Sequence, residues 1–166
     1  MGKRHSRSQV ALAALWLICA TERGAAETAC SESRVDLRWP DGGAVFTVEV
    51  ADDDAERRLG LMNRDRMSAG HGMLFVYDTP RTVAFWMKNT RIPLDMIFVG
   101  ADGRVRKVHE SAEPLDETPI PGGEDIQFVL EINGGLARRL GITPGAELRH
   151  PAIDSDVAAW VCDAKS

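Results

Sequence analysis

Apolar positions come in short blocks along this chain, and the spacing within each block predicts its conformation. The first block, Val10 to Ala20, follows a basic start of Lys3, Arg4 and Arg7. It is too short to cross a bilayer, which takes roughly 20 apolar residues, and it suits the hydrophobic core of a secretory signal. Gly24-Ala25-Ala26 supplies the small residues a signal peptidase accepts. Residues 1–26 are therefore expected to be a signal peptide and 27–166 one β-rich domain. A lipid anchor is the competing end point, but Cys19 follows Ile18, and Cys30 has Glu27 where a lipobox wants Leu.

The later blocks are mostly strand-like. Ala44 to Ala51 alternates after the turn-like Pro40-Asp41-Gly42-Gly43. Asp52 to Asp54 can cap a helix running to about Met62, with Leu59 and Met62 on one face. Met73 to Tyr77 reads as a short strand ended by Asp78-Thr79-Pro80. Val83 to Met87 and Leu94 to Val99 read as an antiparallel pair buried on both faces. Pro93 holds Ile92 extended, so Thr90 to Pro93 would be their turn. In that register Lys88 faces Asp95. Asp102-Gly103 predicts a hairpin into Arg104 to Glu110. Ser111 to Glu124, with Pro114, Pro119 and Pro121, is expected to be an exposed connection. Asp125 to Ile132 follows as a strand, then a helix from Leu136 to Leu140 with Asn133 as its cap and Gly141 as its stop. Ala146 to His150 is the final strand, and Trp160 and Cys162 suggest that the tail docks on the body. About seven short strands with two brief helices give a mainly β, compact sandwich- or barrel-like domain.

Length and charge narrow the partners. A chain of 166 residues suits one domain. Its formal net charge is −5, and loss of residues 1–26 would leave 16 basic against 24 acidic residues, a net of −8. A nucleic-acid partner would want the opposite sign. No later block could cross a bilayer. Only Cys30 and Cys162 remain after cleavage, one near each end. An oxidising compartment permits a disulfide between them, and two separate thiols are the alternative. Neither has a nearby His, so neither a catalytic thiol nor a Cys-based zinc site is supported.

The motifs themselves are recognisable. Gly60-Leu61-Met62 with Arg64 and Met67 comes first, then Gly72-Met73-Leu74-Phe75. Phe85-Trp86-Met87-Lys88-Asn89-Thr90 and Ile92-Pro93-Leu94-Asp95-Met96 follow. With Val129-Leu130-Glu131-Ile132-Asn133, Arg139-Leu140-Gly141 and Gly145, they make residues 35–150 resemble the family catalogued as domain of unknown function 192. The resemblance implies a compact, β-rich, sandwich-like domain of bacteria and archaea, often exported. It brings no established activity, substrate or catalytic set.

Three constellations could carry chemistry. The first is the polar residues inside apolar strands: Lys88, Asn89, Asp95, Glu131 and Asn133, with Arg64. Buried charges are costly unless paired, so such residues tend to converge, and a pocket of them would suit a small polar or anionic ligand. The structural alternative is that they satisfy turns and caps. The second is methionine: Met62, Met67 and Met73, with Met87 and Met96 in strands expected to be buried. Thioethers suit Cu(I), but methionine is also adaptable core filler. The third is His71, His109 and His150, which lack metal-ligand spacing. No nucleophile elbow, P-loop or dinucleotide fingerprint is present, and no cofactor is called for. The expectation is an exported, periplasmic or secreted domain that binds a small molecule or an envelope protein. The alternative is an enzyme using Lys88, Asp95 and Glu131 for acid–base chemistry on a small polar substrate.

Overall fold

A computed structural model describes residues 29–162 together with Gly2. The expected signal segment, its cleavage point and Cys19 therefore lie outside the described residues. The described residues form seven strands and two helices: β1 (Arg34–Trp39), β2 (Gly42–Ala51), α1 (Asp54–Leu59), β3 (His71–Phe85), β4 (Leu94–Gly100), β5 (Val105–Ala112), β6 (Ile120–Asn133), α2 (Leu136–Leu140) and β7 (Glu147–Arg149). All strands join one sheet in the order β5-β4-β6-β3-β2-β1-β7, and every pairing is antiparallel except β2 with β3. The sheet curls into a half-barrel. Its two edge strands approach at one end, where Arg104 bridges Glu147 and the Val105 N–H donates to the Ala146 carbonyl at 2.8 Å. This is the mainly β, barrel-like domain that the sequence predicts.

Curling gives the central strands a core on each face. Leu37, Phe46, Leu74, Ile97, Phe128 and Leu130 pack on one side with α2. Met73, Phe75, Met96, Phe98 and Val129 pack on the other beneath Leu61, Met87 and Ile92. Every residue of β4 is buried, as a strand covered on both faces requires.

The predicted hairpin of Val83–Met87 with Leu94–Val99 does not form. β6 lies between β3 and β4 and pairs antiparallel with both. The backbone of the joining segment finds partners in other loops instead. Met87 N–H donates to Asp116 O at 2.8 Å, Leu115 N–H to Thr90 O at 3.0 Å, and Asn63 N–H to Asn89 O at 2.8 Å. The same segment sinks Met87 and Ile92 into the core, so it is a packed crossover rather than a tight turn.

Other boundaries shift for local reasons. Asp53 caps α1 by accepting from Ala55 N–H at 2.7 Å and Glu56 N–H at 2.8 Å. The helix ends at Gly60, whose φ of +48° and ψ of −138° suit only glycine, so Leu59 and Met62 do not share a helical face. Leu59 is exposed, and Leu61 is the anchor. Asp78-Thr79-Pro80 does not end β3. The strand runs through it with register breaks between Val76 and Ala84, which absorb Pro80. Phe85 thereby returns to pack edge-on against Phe75, with ring centroids 5.0 Å apart. Ile120 to Glu124, expected in an exposed connection, are the first residues of β6.

The termini are tied to the body. Cys30 and Cys162 form a disulfide. The guanidinium groups of Arg38 and Arg149 lie over the Trp160 ring, 4.4 and 4.2 Å from its centroid. Arg149 of β7 also donates to Asp36 of β1 at 2.8 Å, a pair buried on both sides.

Candidate functional site

Strand alternation decides where the polar residues of the central motifs go. On β4, Asp95 shares a face with Ile97, against α2; on β6, Glu131 shares the opposite face with Val129. The two carboxylates therefore lie on different sides of the sheet.

Asp95 is structural in its contacts. One carboxylate oxygen accepts from Ser111 N–H at 2.7 Å and Gly135 N–H at 2.8 Å, and the other from Ala137 N–H at 2.7 Å. It caps α2 from a distant strand and pins the end of β5. Asn133, expected to cap α2, instead donates its amide to the carbonyls of Met67 and Ser68 at 3.1 and 3.0 Å. Gly135 holds the cap position in a left-handed conformation without a side-chain bond of its own.

The remaining candidates scatter. Lys88 does not meet Asp95; its ammonium lies over the Trp86 ring, 5.0 Å from the centroid, and it makes no ion pair among the described residues. Asn89 is exposed at a φ of +52° and serves the turn. Arg64 grips Glu49 with both terminal nitrogens, one at 2.7 Å. They line a separate depression with Arg66, Met67, Ser68 and His71. Of the methionines, Met73, Met87 and Met96 are core, Met67 packs against it, and Met62 is half-buried. His150 is buried, with Nε2 donating to Glu32 O at 2.9 Å and Nδ1 accepting from Ala152 N–H at 3.1 Å. Burial holds it below the usual histidine range. Among the described residues no group of three or more His, Cys, Asp or Glu is placed to hold a metal ion.

Glu131 stands apart. Its register partners are Met73 on β3 and Met96 on β4, so it sits between two thioether side chains. It is 4% exposed, yet it makes no hydrogen bond or ion pair among the described residues. Burial pushes its carboxyl up to about 8, so it is largely a neutral acid at pH 7.

The carboxyl lines a cleft of about 110 Å³. One wall is the end of α1 and its turn, Arg57 to Met62; the others are Phe75 and Tyr77, Ala84 to Trp86, and Thr90. The bend in β3 makes this concavity by folding Phe85 back towards Phe75. Arg57 is spent on Asp54, at 2.7 Å, and on the carbonyls of Asp52 and Val76, and its guanidinium lies over the Tyr77 ring. Burial raises the Tyr77 phenol, with Glu131 adding to the shift and Arg57 and Arg81 opposing it. The sequence motifs thus meet, but around Glu131 alone. Tyr77, Arg57 and Arg58 join the site without any sequence signal, because a bend in β3 and the end of a short helix bring them there.

Comparisons place this geometry among known proteins. No curated protein matches the chain. A solved structure from Novosphingobium aromaticivorans DSM 12444, of unknown function, is 47% identical with a TM-score of 0.68, covering 69% of this chain and 82% of that one. Another, from Sinorhizobium meliloti 1021 and provisionally described as a transcription regulator, is 44% identical with a TM-score of 0.69. That match covers 74% of this chain and 95% of the other. Residues 37–150 match the model of domain of unknown function 192 (DUF192), described as "Uncharacterized ACR". The chain belongs to the DUF192 family.

Proposed function

We propose that this protein is an exported domain of the cell envelope that binds a small molecule in the cleft over Glu131. One observation carries the reading: a buried carboxyl with no hydrogen bond or ion pair among the described residues, lining a concave site. Such a group destabilises the fold, and groups kept at that cost concentrate at functional sites. A cleft of about 110 Å³ is well below the roughly 300–1,000 Å³ that encloses a drug-sized ligand. One polar group of the ligand fits inside, and the rest lies at the mouth. Export rests on the signal-like start, and the disulfide agrees with an oxidising compartment.

A partner protein is a weaker reading. Leu59 and Trp86 at the cleft are exposed, but single exposed apolar residues are ordinary. The regulatory description of the Sinorhizobium relative is not carried over, because a net charge of −5 opposes a phosphate backbone. An acid–base enzyme is the second reading, favoured by the same carboxyl, since a group at about 8 exchanges protons near neutral pH. Asp95 and Lys88 have no part in it.

The test is a thermal-shift screen of amino acids, sugars, organic acids, amides and nucleotides on wild type and Glu131→Leu. A compound at about 100 times its dissociation constant adds roughly 2.7 kcal/mol. The expected result is a Glu131→Leu protein with a raised unliganded midpoint and no response to the compounds that shift wild type. Compounds that shift both proteins equally would place binding elsewhere. Turnover of a bound compound, stopped by Glu131→Gln, would favour the enzyme.

A further inference from the structure

We propose that the cleft selects small monocarboxylates, R–COO⁻, with one carboxylate oxygen accepting from the Glu131 hydroxyl and R lying against Phe85, Trp86 and Pro119. The inference rests on reading the cleft as a ligand site and adds the chemical class.

Several side chains around the cleft can donate hydrogen bonds. Glu131, neutral below about pH 8, presents a hydroxyl. The Tyr77 phenol has no hydrogen-bond partner among the described residues. Thr90 has already given its hydroxyl proton to the Lys88 carbonyl at 3.2 Å. Arg57 is committed, but Arg58 meets only Asp54, at 3.9 Å, and is largely exposed. A ligand that uses the Glu131 and Tyr77 hydroxyls and the Arg58 guanidinium as donors accepts hydrogen bonds.

Charge then separates an anion from a neutral carbonyl. Arg57 and Arg58 line the cleft, Arg81 lies over the Tyr77 ring at 5.2 Å, and Glu131 is the only acidic side chain in the lining. An ammonium ligand would meet these cations, whereas a carboxylate is drawn to them. An acid paired with a carboxylate shares one proton between two groups that cannot both be charged, the arrangement of carboxylate dyads. A phosphate dianion would need more paired donors than the Arg58 guanidinium, already beside Asp54, supplies. Beside the cleft, a mainly apolar depression formed by Ala84, Phe85, Trp86 and Pro119 shares three residues with it. That surface suits an alkyl or aryl remainder.

Binding must then follow the protonation of Glu131. Its register partners, Met73 of β3 and Met96 of β4, are apolar, and the charged or titratable groups around the same cleft are Arg57 and Arg58 of α1 and Tyr77 of β3, with Arg81 over the Tyr77 ring. Burial raises the Tyr77 phenol, and the bond to Asp54 raises the Arg57 guanidinium. Glu131 is left as the titrating group.

Calorimetric titration of the whole protein with hexanoate, hexanamide and inorganic phosphate at about pH 6.5 and 9.5 tests the inference. Hexanoate is expected to bind about 30-fold more weakly at the higher pH, a tenfold loss per unit above about 8. Glu131→Gln keeps a donor and cannot titrate, so it should bind hexanoate with nearly the same affinity at both values. Arg58→Ala should weaken hexanoate several-fold and leave hexanamide unchanged. Equal hexanoate binding by wild type at the two pH values overturns the inference. So does hexanamide or phosphate binding as tightly as hexanoate. If organic acids fail while another compound shifts wild type and not Glu131→Leu, the carboxylate class falls and the cleft remains a site. If no compound shifts wild type, both fall.

Discussion

A carboxyl group held between Met73 and Met96, with no partner among the described residues, destabilises the fold wherever it is ionised. The sign of the effect follows from the two end states. In the unfolded chain Glu131 titrates near its ordinary 4.5, and in the folded protein near 8. Below about 4.5 both states carry the proton and nothing changes. Between the two values only the folded state holds it, so stability falls as pH rises, by up to about 1.4 kcal/mol per unit. Above about 8 the full cost persists. His150 acts in the opposite sense: its neutral form is favoured on folding, so below its ordinary 6.5 stability falls as pH falls. Glu131 was legible in the sequence as an acid among apolar neighbours. Its solitude was not, because the residues that could have paired with it were assigned by a strand pairing that the fold does not use.

Elements explain that misreading. Thr90 to Pro93 has the chemistry of a turn, and local sequence cannot show that β6, far along the chain, slips between β3 and β4. Once it does, Asp95 faces α2 and Glu131 faces the other core, and the expected Lys88–Asp95 pair has no geometry in which to form. Likewise, Asn133 stands where a helix cap is expected, yet the cap comes from Asp95, distant in sequence. Helix α2 itself was legible to the residue, since Gly141 adopts a φ of +84°. The Asp95 carboxylate holds three backbone N–H groups, that of Ala137 buried and those of Ser111 and Gly135 partly buried. Each costs about 1–3 kcal/mol when orphaned. Asp95→Ala is therefore expected to lose roughly 4 kcal/mol or more, and Asp95→Asn a smaller part of it, in urea denaturation. Neither should alter ligand binding at the Glu131 cleft in protein that remains folded.

For the whole molecule, alternation and turn chemistry were enough to predict a mainly β domain, while the order of strands required contacts between distant segments. The pairing of Cys30 with Cys162 was one of two open alternatives. It closes a loop spanning 132 positions and fixes Trp160 against Arg38 and Arg149. The chain-entropy account gives such a loop about 4–5 kcal/mol as an upper figure. Cys30→Ser with Cys162→Ser should lower the denaturation midpoint by a part of that and increase the exposure of Trp160. The cleft should bind as before, since its lining comes from residues 57–62, 75–90 and Glu131. Unchanged stability after reduction would mean that the docked tail, not the bond, holds the termini.

The account turns on Glu131 being a neutral acid in the folded protein. The most direct check is the unfolding free energy of wild type against Glu131→Gln by urea denaturation from about pH 5 to 9, a comparison in which His150 cancels. Wild type should lose stability relative to the variant steadily from about pH 5 and level off near 8. A difference that stays flat over that range would mean that burial does not raise the carboxyl, and the case for this cleft as a binding site would fail.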